Sequence, residues 1–127
     1  MVPAVTDVTV FDTVGGFAFF DALVERFYAH VEHDPALRPL YPDDLEPGKR
    51  ALALFLAQYW GGPPAYSAEK GHPRLRMRHA PFAITGHERA AWLTAMRAAL
   101  DESAPPEPAY GLMRDYFEHA STAMINR

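Results

Sequence analysis

The sequence predicts an all-α fold on three observations. Apolar residues recur three and four positions apart, no run alternates apolar with polar as a half-buried strand does, and clusters of glycine and proline cut the chain into helix-length pieces. With 127 residues, 49% of them hydrophobic and 22% charged, the chain has the size and composition of one globular domain, and residues 1–127 are read as a single unit.

A first helix is expected over about 5–14, closed by Gly15-Gly16. Phe17, Phe20, Val24, Phe27, Tyr28 and Val31 then draw one apolar stripe along a helix over 17–33, with Tyr28 inside it. Asp34-Pro35 reads as an N-cap followed by proline at the first helical position, opening a short helix over 35–40 that Pro39 and Pro42 end. Tyr41 is left at a corner. The next helix, over 47–60, puts Leu52, Phe55, Leu56 and Tyr59 on one face. The polar stretch 61–73, rich in glycine and proline, reads as a loop, and a loop of that length without a function is unusual. A short basic helix over 74–79 follows, stopped by Pro81. Thr85 and Glu88 have capping-box spacing and open a helix over 86–101 with Trp92, Leu93, Met96, Ala99 and Leu100 as its apolar positions. The last helix, over 106–125, has the clearest period: Ala109, Leu112, Met113, Tyr116, Phe117, Ala120 and Met124.

Composition excludes several functions. A net charge of −4 argues against nucleic acid, because phosphate neutralisation needs clustered cations. The one basic cluster, Arg74, Arg76 and Arg78, suits the carboxylates of a single ligand better than a duplex. Without cysteine there is no disulfide, thiolate catalysis or cysteine-held metal. The N-terminus lacks a basic leader, and the most apolar stretch, 51–60, is too short to span a bilayer, so no membrane partner and a cytoplasmic location are expected.

None of the six histidines is paired at zinc-site or HExxH spacing. A single histidine can still bind iron when a porphyrin supplies the other four nitrogens. Most histidines merely pack or face solvent, but His79 ends a short basic helix, with Met77 and Phe82 available as an apolar wall and Pro81 fixing the exit of the chain. Tyr28, Tyr41 and Trp92 also have an ordinary reading, as core aromatics. Their buried hydroxyl and indole groups nevertheless need hydrogen-bond partners, and a bound diatomic ligand is an acceptor of the right kind.

The strings Gly15-Gly16, Arg26-Phe27-Tyr28-Ala29, Leu40-Tyr41-Pro42, Gln58-Tyr59-Trp60-Gly61-Gly62-Pro63, Ala91-Trp92-Leu93 and the run from Gly71 through His79 to Phe82 resemble group II of the truncated haemoglobins, over about residues 8–125. The resemblance implies a truncated globin fold, a two-over-two sandwich of α-helices around haem b. It makes His79 the proximal iron ligand and Tyr28, Tyr41 and Trp92 the distal donors to the bound ligand. Leu52 becomes a pocket-wall residue, and Gly48, counted back from Gly61, stands at the distal gate. Phe82, Trp92 and Met96 are expected against the cofactor, Arg78 and Tyr66 at its propionate rim, with Lys49 and Arg50 as weaker candidates there.

The function implied is reversible binding of oxygen and other diatomics at pentacoordinate iron, for storage or scavenging. The alternative is a haem redox enzyme, a peroxidase or nitric-oxide dioxygenase, using the same site. A haem-free helical interaction module is a third reading, against which His79 and the distal trio weigh. A reductase and a second copy of the chain are expected partners, with Phe11, Phe19 and Tyr110 as surface aromatics able to join subunits.

Overall fold

A computed structural model describes residues 8–127, which form seven α-helices and one 3-10 turn, with no strand among the described residues. Helix α1 (Val10–Thr13) is capped by the Thr9 hydroxyl, which accepts from the Asp12 amide; positions 5–7 of the expected first helix lie outside the described residues.

Helix α2 (Phe17–Glu32) buries Phe20, Leu23, Val24, Phe27, Tyr28 and Val31. Phe17, expected to begin the stripe, is 42% exposed. No helix forms over 35–40. The Asp34 carboxylate accepts from the Ala36 and Leu37 amides and shapes a turn, after which only Arg38–Leu40 winds, as a 3-10 turn. Pro39 and Pro42 cannot donate the amide bonds a longer helix needs. Instead the Arg38 guanidinium donates to the carbonyls of Tyr41, Pro42 and Asp43 at 3.1–3.2 Å and fixes the corner that carries Tyr41.

Helix α3 (Glu46–Tyr59) is followed by α4 (Ala65–Lys70), where the sequence suggested only a loop. Six residues are too few to show a period, and tertiary contacts hold them. Gln58 accepts from the Ser67 amide at 2.9 Å and donates to the Ser67 hydroxyl at 2.8 Å, while Tyr66 packs edge-on against Phe55. Helix α5 (Leu75–His79) begins after Arg74, which has a left-handed backbone. Helix α6 (Gly86–Ser103) opens on the capping box of Thr85 and Glu88, and α7 (Ala109–Ala123) closes the fold.

Helix α2 packs against both α3 and α6, and α6 against α7. The centre is filled by Phe20, Leu23, Phe27, Leu56, Met96, Leu100, Met113 and Phe117, each at most 2% exposed. Burying such side chains supplies about 1.5–3 kcal/mol apiece. Two residues on the expected apolar faces, Tyr59 and Leu112, are instead about half exposed, at 51% and 49%. The aromatics expected to join subunits are partly buried on their own core: Phe11 stacks on Phe20, Phe19 meets Phe20 edge-on, and the Tyr110 hydroxyl bonds to Asp101. Among the described residues, no helix is long and apolar enough to cross a membrane.

Candidate functional site

Between these helices lies a cavity of about 360 Å³, within the range of small-molecule pockets. Its wall is largely apolar. Phe27 and Tyr28 come from α2, Tyr41 from the corner, Gly48, Leu52 and Phe55 from α3, and Leu75 and His79 from α5. Phe82 and Ile84 belong to the α5–α6 connection, Trp92 to α6, and Tyr116, Phe117 and Met124 to the last segment.

His79 is partly buried, and its Nδ1 lies 2.6 Å from the Leu75 carbonyl oxygen one turn back. A carbonyl only accepts, so Nδ1 carries the proton and donates it. The lone pair is then on Nε2, which makes no hydrogen bond among the described residues, in a side chain that lines the cavity. Fixing the tautomer through the outer nitrogen is how an imidazole is prepared to bind a metal.

The donors stand as an aromatic cluster. Tyr28 meets Phe27 and Tyr41 edge-on at centroid distances of 5.3 and 5.6 Å, and Trp92 lies 5.4 Å from Phe27. Burial pushes the Tyr28 hydroxyl up to about 12, with the nearby Lys49 charge working slightly the other way. Burial also raises Tyr41, Tyr28 adds to the rise, and a hydrogen bond from Trp92 opposes it. Both phenols stay protonated at neutral pH and can therefore donate. Gly48 explains how Tyr28 reaches its place. A Cβ at position 48 would sit 2.8 Å from the Tyr28 hydroxyl oxygen, so that hydroxyl occupies the space a side chain would need.

Seven residues singled out from the sequence thus line one cavity: Tyr28, Tyr41, Gly48, Leu52, His79, Phe82 and Trp92. Others stand apart from it. Met96 is fully buried in the core, one turn beyond Trp92, and Tyr66 is buried beneath Phe55. Arg78 donates to the carbonyls of Pro73 and Lys70 at 2.7 and 3.0 Å and lies over the Tyr66 ring, so it braces the approach to α5. Lys49 is paired with Glu25 and Glu46, Arg50 with Glu69, and Met77 is 58% exposed rather than part of the wall.

Sequence reasoning missed Glu88, Arg89 and Ser121, all of which line the cavity. The signal was present, since Glu88 and Arg89 precede Trp92 by four and three positions and so share its helix face. They are already occupied: Glu88 accepts from Thr85, while Arg89 donates to the Ser121 hydroxyl and the Glu118 carbonyl. Among the described residues no three His, Cys, Asp or Glu side chains group to hold a metal. A metal beside His79 must therefore arrive with its own donors. One poised imidazole, a wide apolar wall and protonated phenols fit a metal-bearing macrocycle and leave polar groups for a small ligand.

The bacterial-like globin family matches residues 9–126. The group 2 truncated hemoglobin YjbI of Bacillus subtilis (strain 168) is 46% identical over 86 residues, which is 68% of this chain and 65% of that protein's length. Among solved structures, the hemoglobin of the thermophilic phototrophic bacterium Chloroflexus aurantiacus superposes with a TM-score of 0.93 at 57% identity, covering 94% of this chain and 99% of that one. A truncated oxygen-avid haemoglobin from Bacillus subtilis superposes with a TM-score of 0.89 at 36% identity, covering 94% and 100%.

Proposed function

This chain belongs to the bacterial-like globin family as a group II truncated haemoglobin with the two-over-two helical fold, and on that premise we propose that it holds haem b in the central cavity and binds oxygen reversibly. The carrying observation is the His79 imidazole, whose proton is committed to the Leu75 carbonyl so that the Nε2 lone pair is free in the cavity that Tyr28, Tyr41 and Trp92 also line. Haem iron, when bound, supplies the centre that takes up the diatomic ligand. The chain does the rest.

His79 would hold that iron through the free Nε2 lone pair, leaving the iron able to take up a diatomic. Leu52, Phe55 and Phe82 exclude water from the macrocycle. Tyr28 and Trp92 donate to the ligand, and Tyr41 orients Tyr28 against its edge. Oxygen draws negative charge on binding and carbon monoxide far less, so donors fixed in advance favour oxygen. Each charge-assisted bond is worth about 1.5–3 kcal/mol, and about 1.4 kcal/mol is tenfold in an equilibrium constant. Retention of that order suits storage or scavenging in the cytoplasm better than bulk delivery, and a reductase is needed to keep the iron ferrous. A relative described as oxygen-avid supports this reading.

Adding haem to the purified chain should give a Soret band, and His79→Gly should alter the proximal coordination, with added imidazole restoring it. Oxygen release should quicken by about tenfold or more in both Tyr28→Phe and Trp92→Phe. Unchanged release in both variants would reduce the donors to packing groups. A second reading, one-electron redox turnover of a peroxide in the same cavity, is favoured by one observation: oxidisable rings continue from the wall to the surface.

A further inference from the structure

On the α7 side of the cavity, three oxidisable rings stand in contact. Tyr116 lines the cavity. Its ring centroid is 4.2 Å from that of Tyr59, the planes tilted by 35°, and 5.6 Å from that of Trp60, edge to face. Tyr59 and Trp60 are themselves 5.1 Å apart. Tyr59 is 51% exposed. The three rings therefore join the cavity to solvent without a gap.

Packing alone does not account for their chemistry. A buried phenol or indole is worth having over a phenyl ring only when its polar group finds a partner. The Trp60 indole N–H is buried with no partner among the described residues, and the Tyr116 hydroxyl is held in a site that disfavours its charged form. What phenol and indole offer and phenyl does not is ready loss of one electron. For a phenol that loss also requires an exit for the proton. Tyr28 is 4% exposed, whereas the Tyr59 ring has water beside it.

We propose that Tyr59, backed by Trp60 and Tyr116, is a surface electron-entry site at which a phenolic reductant too bulky for the cavity delivers single electrons, with a hydroperoxide as the oxidant inside. The proposal rests on the redox reading above. The balance is ROOH + 2 ArOH → ROH + H2O + 2 ArO•. The O–O bond and two phenolic O–H bonds break, and new O–H bonds form in the alcohol and in water. The two electrons cross one at a time from Tyr59 through its neighbours. Each phenol leaves its proton with water at the surface, and two protons are taken up in the cavity with the peroxide. Leu112, about half exposed one turn before Tyr116, adds apolar surface on which an aromatic reductant can rest.

The test treats the haem-loaded protein with hydrogen peroxide and a nitroso spin trap and maps the adduct by peptide mass spectrometry, for wild type, Tyr59→Phe and Tyr116→Phe, each read only once its Soret band shows it loaded. The expected result is an adduct on Tyr59 in wild type, none at position 59 in Tyr59→Phe, and at least a tenfold loss of Tyr59 adduct in Tyr116→Phe. Oxidation of a bulky phenolic dye should fall in parallel in both variants. An adduct on Tyr59 that persists undiminished in Tyr116→Phe means direct attack from solvent and overturns the relay, as does a loaded protein that never labels Tyr59. A chain with no Soret band after haem is supplied sinks the haem reading itself, and the relay with it.

Discussion

At position 48 one methyl group decides where the Tyr28 hydroxyl can lie. The Tyr28 ring is 4% exposed and set against Phe27 and Tyr41, so it has little room to withdraw from a Cβ that would come within 2.8 Å of its oxygen. Gly48→Ala should therefore move the hydroxyl and quicken oxygen release toward the rate of Tyr28→Phe; an unchanged rate in stopped-flow displacement by carbon monoxide would mean the ring yields without losing its bond. The same hydroxyl gives a dependence on pH. Its folded value is raised by burial to about 12 against about 10 in an unfolded chain, and burial raises Tyr116 to about 12 as well. The unfolded state then releases protons first, so this contribution is complete below pH 10 and is lost as pH climbs toward 12. Melting temperatures followed by circular dichroism should fall across that window, and fall less steeply in Tyr28→Phe and Tyr116→Phe. Equal slopes in wild type and both variants would contradict it.

Helices whose apolar residues repeat over three or more turns were legible, because a long stripe leaves one consistent way to bury itself: α2 and α6 bury most of their expected apolar positions, while α3 and α7 each leave one exposed, Tyr59 and Leu112, and hold others half-buried. The short elements were not. Helix α4 forms because Gln58 clamps Ser67 and Tyr66 finds Phe55, contacts that no window of six residues contains. The expected helix over 35–40 yields for a local reason: Pro39 and Pro42 lack amide donors, and an Asp34 turn and an arginine fork within five residues take the place of the helix. In the site, residues with a distinctive motif could be placed together from sequence, and Glu88 and Arg89 were within reach of it through the helix face they share with Trp92, whereas Tyr116 and Ser121 enter the lining through the packing of α6 on α7. Asn126 is the furthest from any motif. Its side chain donates to the carbonyls of His79 and Phe82 at 3.2 and 2.9 Å and accepts from the Ile84 amide at 2.9 Å, so it staples the C-terminal segment to the connection that follows α5. Asn126→Ala removes three bonds, each worth about 0.5–1.5 kcal/mol net. Hydrogen exchange at the Ile84 amide should accelerate by about tenfold or more, with α2 and α3 unaffected; equal exchange in the variant would show that the backbone bond from Asn126 to Ile84 suffices.

A cavity walled by α2, α3, α5, α6 and α7 is also a gap in the packing of nearly every helix in the fold. Apolar walls that face an unfilled space lose their contacts on one side, so the chain without its cofactor should be the less stable form, most of all where the wall is thinnest. That place is α5 and its flanks, a helix of five residues with none buried, followed by Phe82 at 42% exposure. The core of α2, α6 and α7 has Phe20, Met96 and Met113 fully buried away from the cavity and should hold. A ligand that binds only the folded state, free at a thousand times its dissociation constant, adds about 4 kcal/mol, or roughly 10–20 °C in melting temperature for a domain of this size. Extraction of haem should accordingly lower the melting temperature by that order while most of the helical circular dichroism survives, with amide protection lost first over 71–84. Haem added back should restore both. If the extracted chain melts at the same temperature as the loaded one, or loses protection evenly across all helices, then the cavity is not where the cofactor contributes its stability, and the site built on His79 is misplaced.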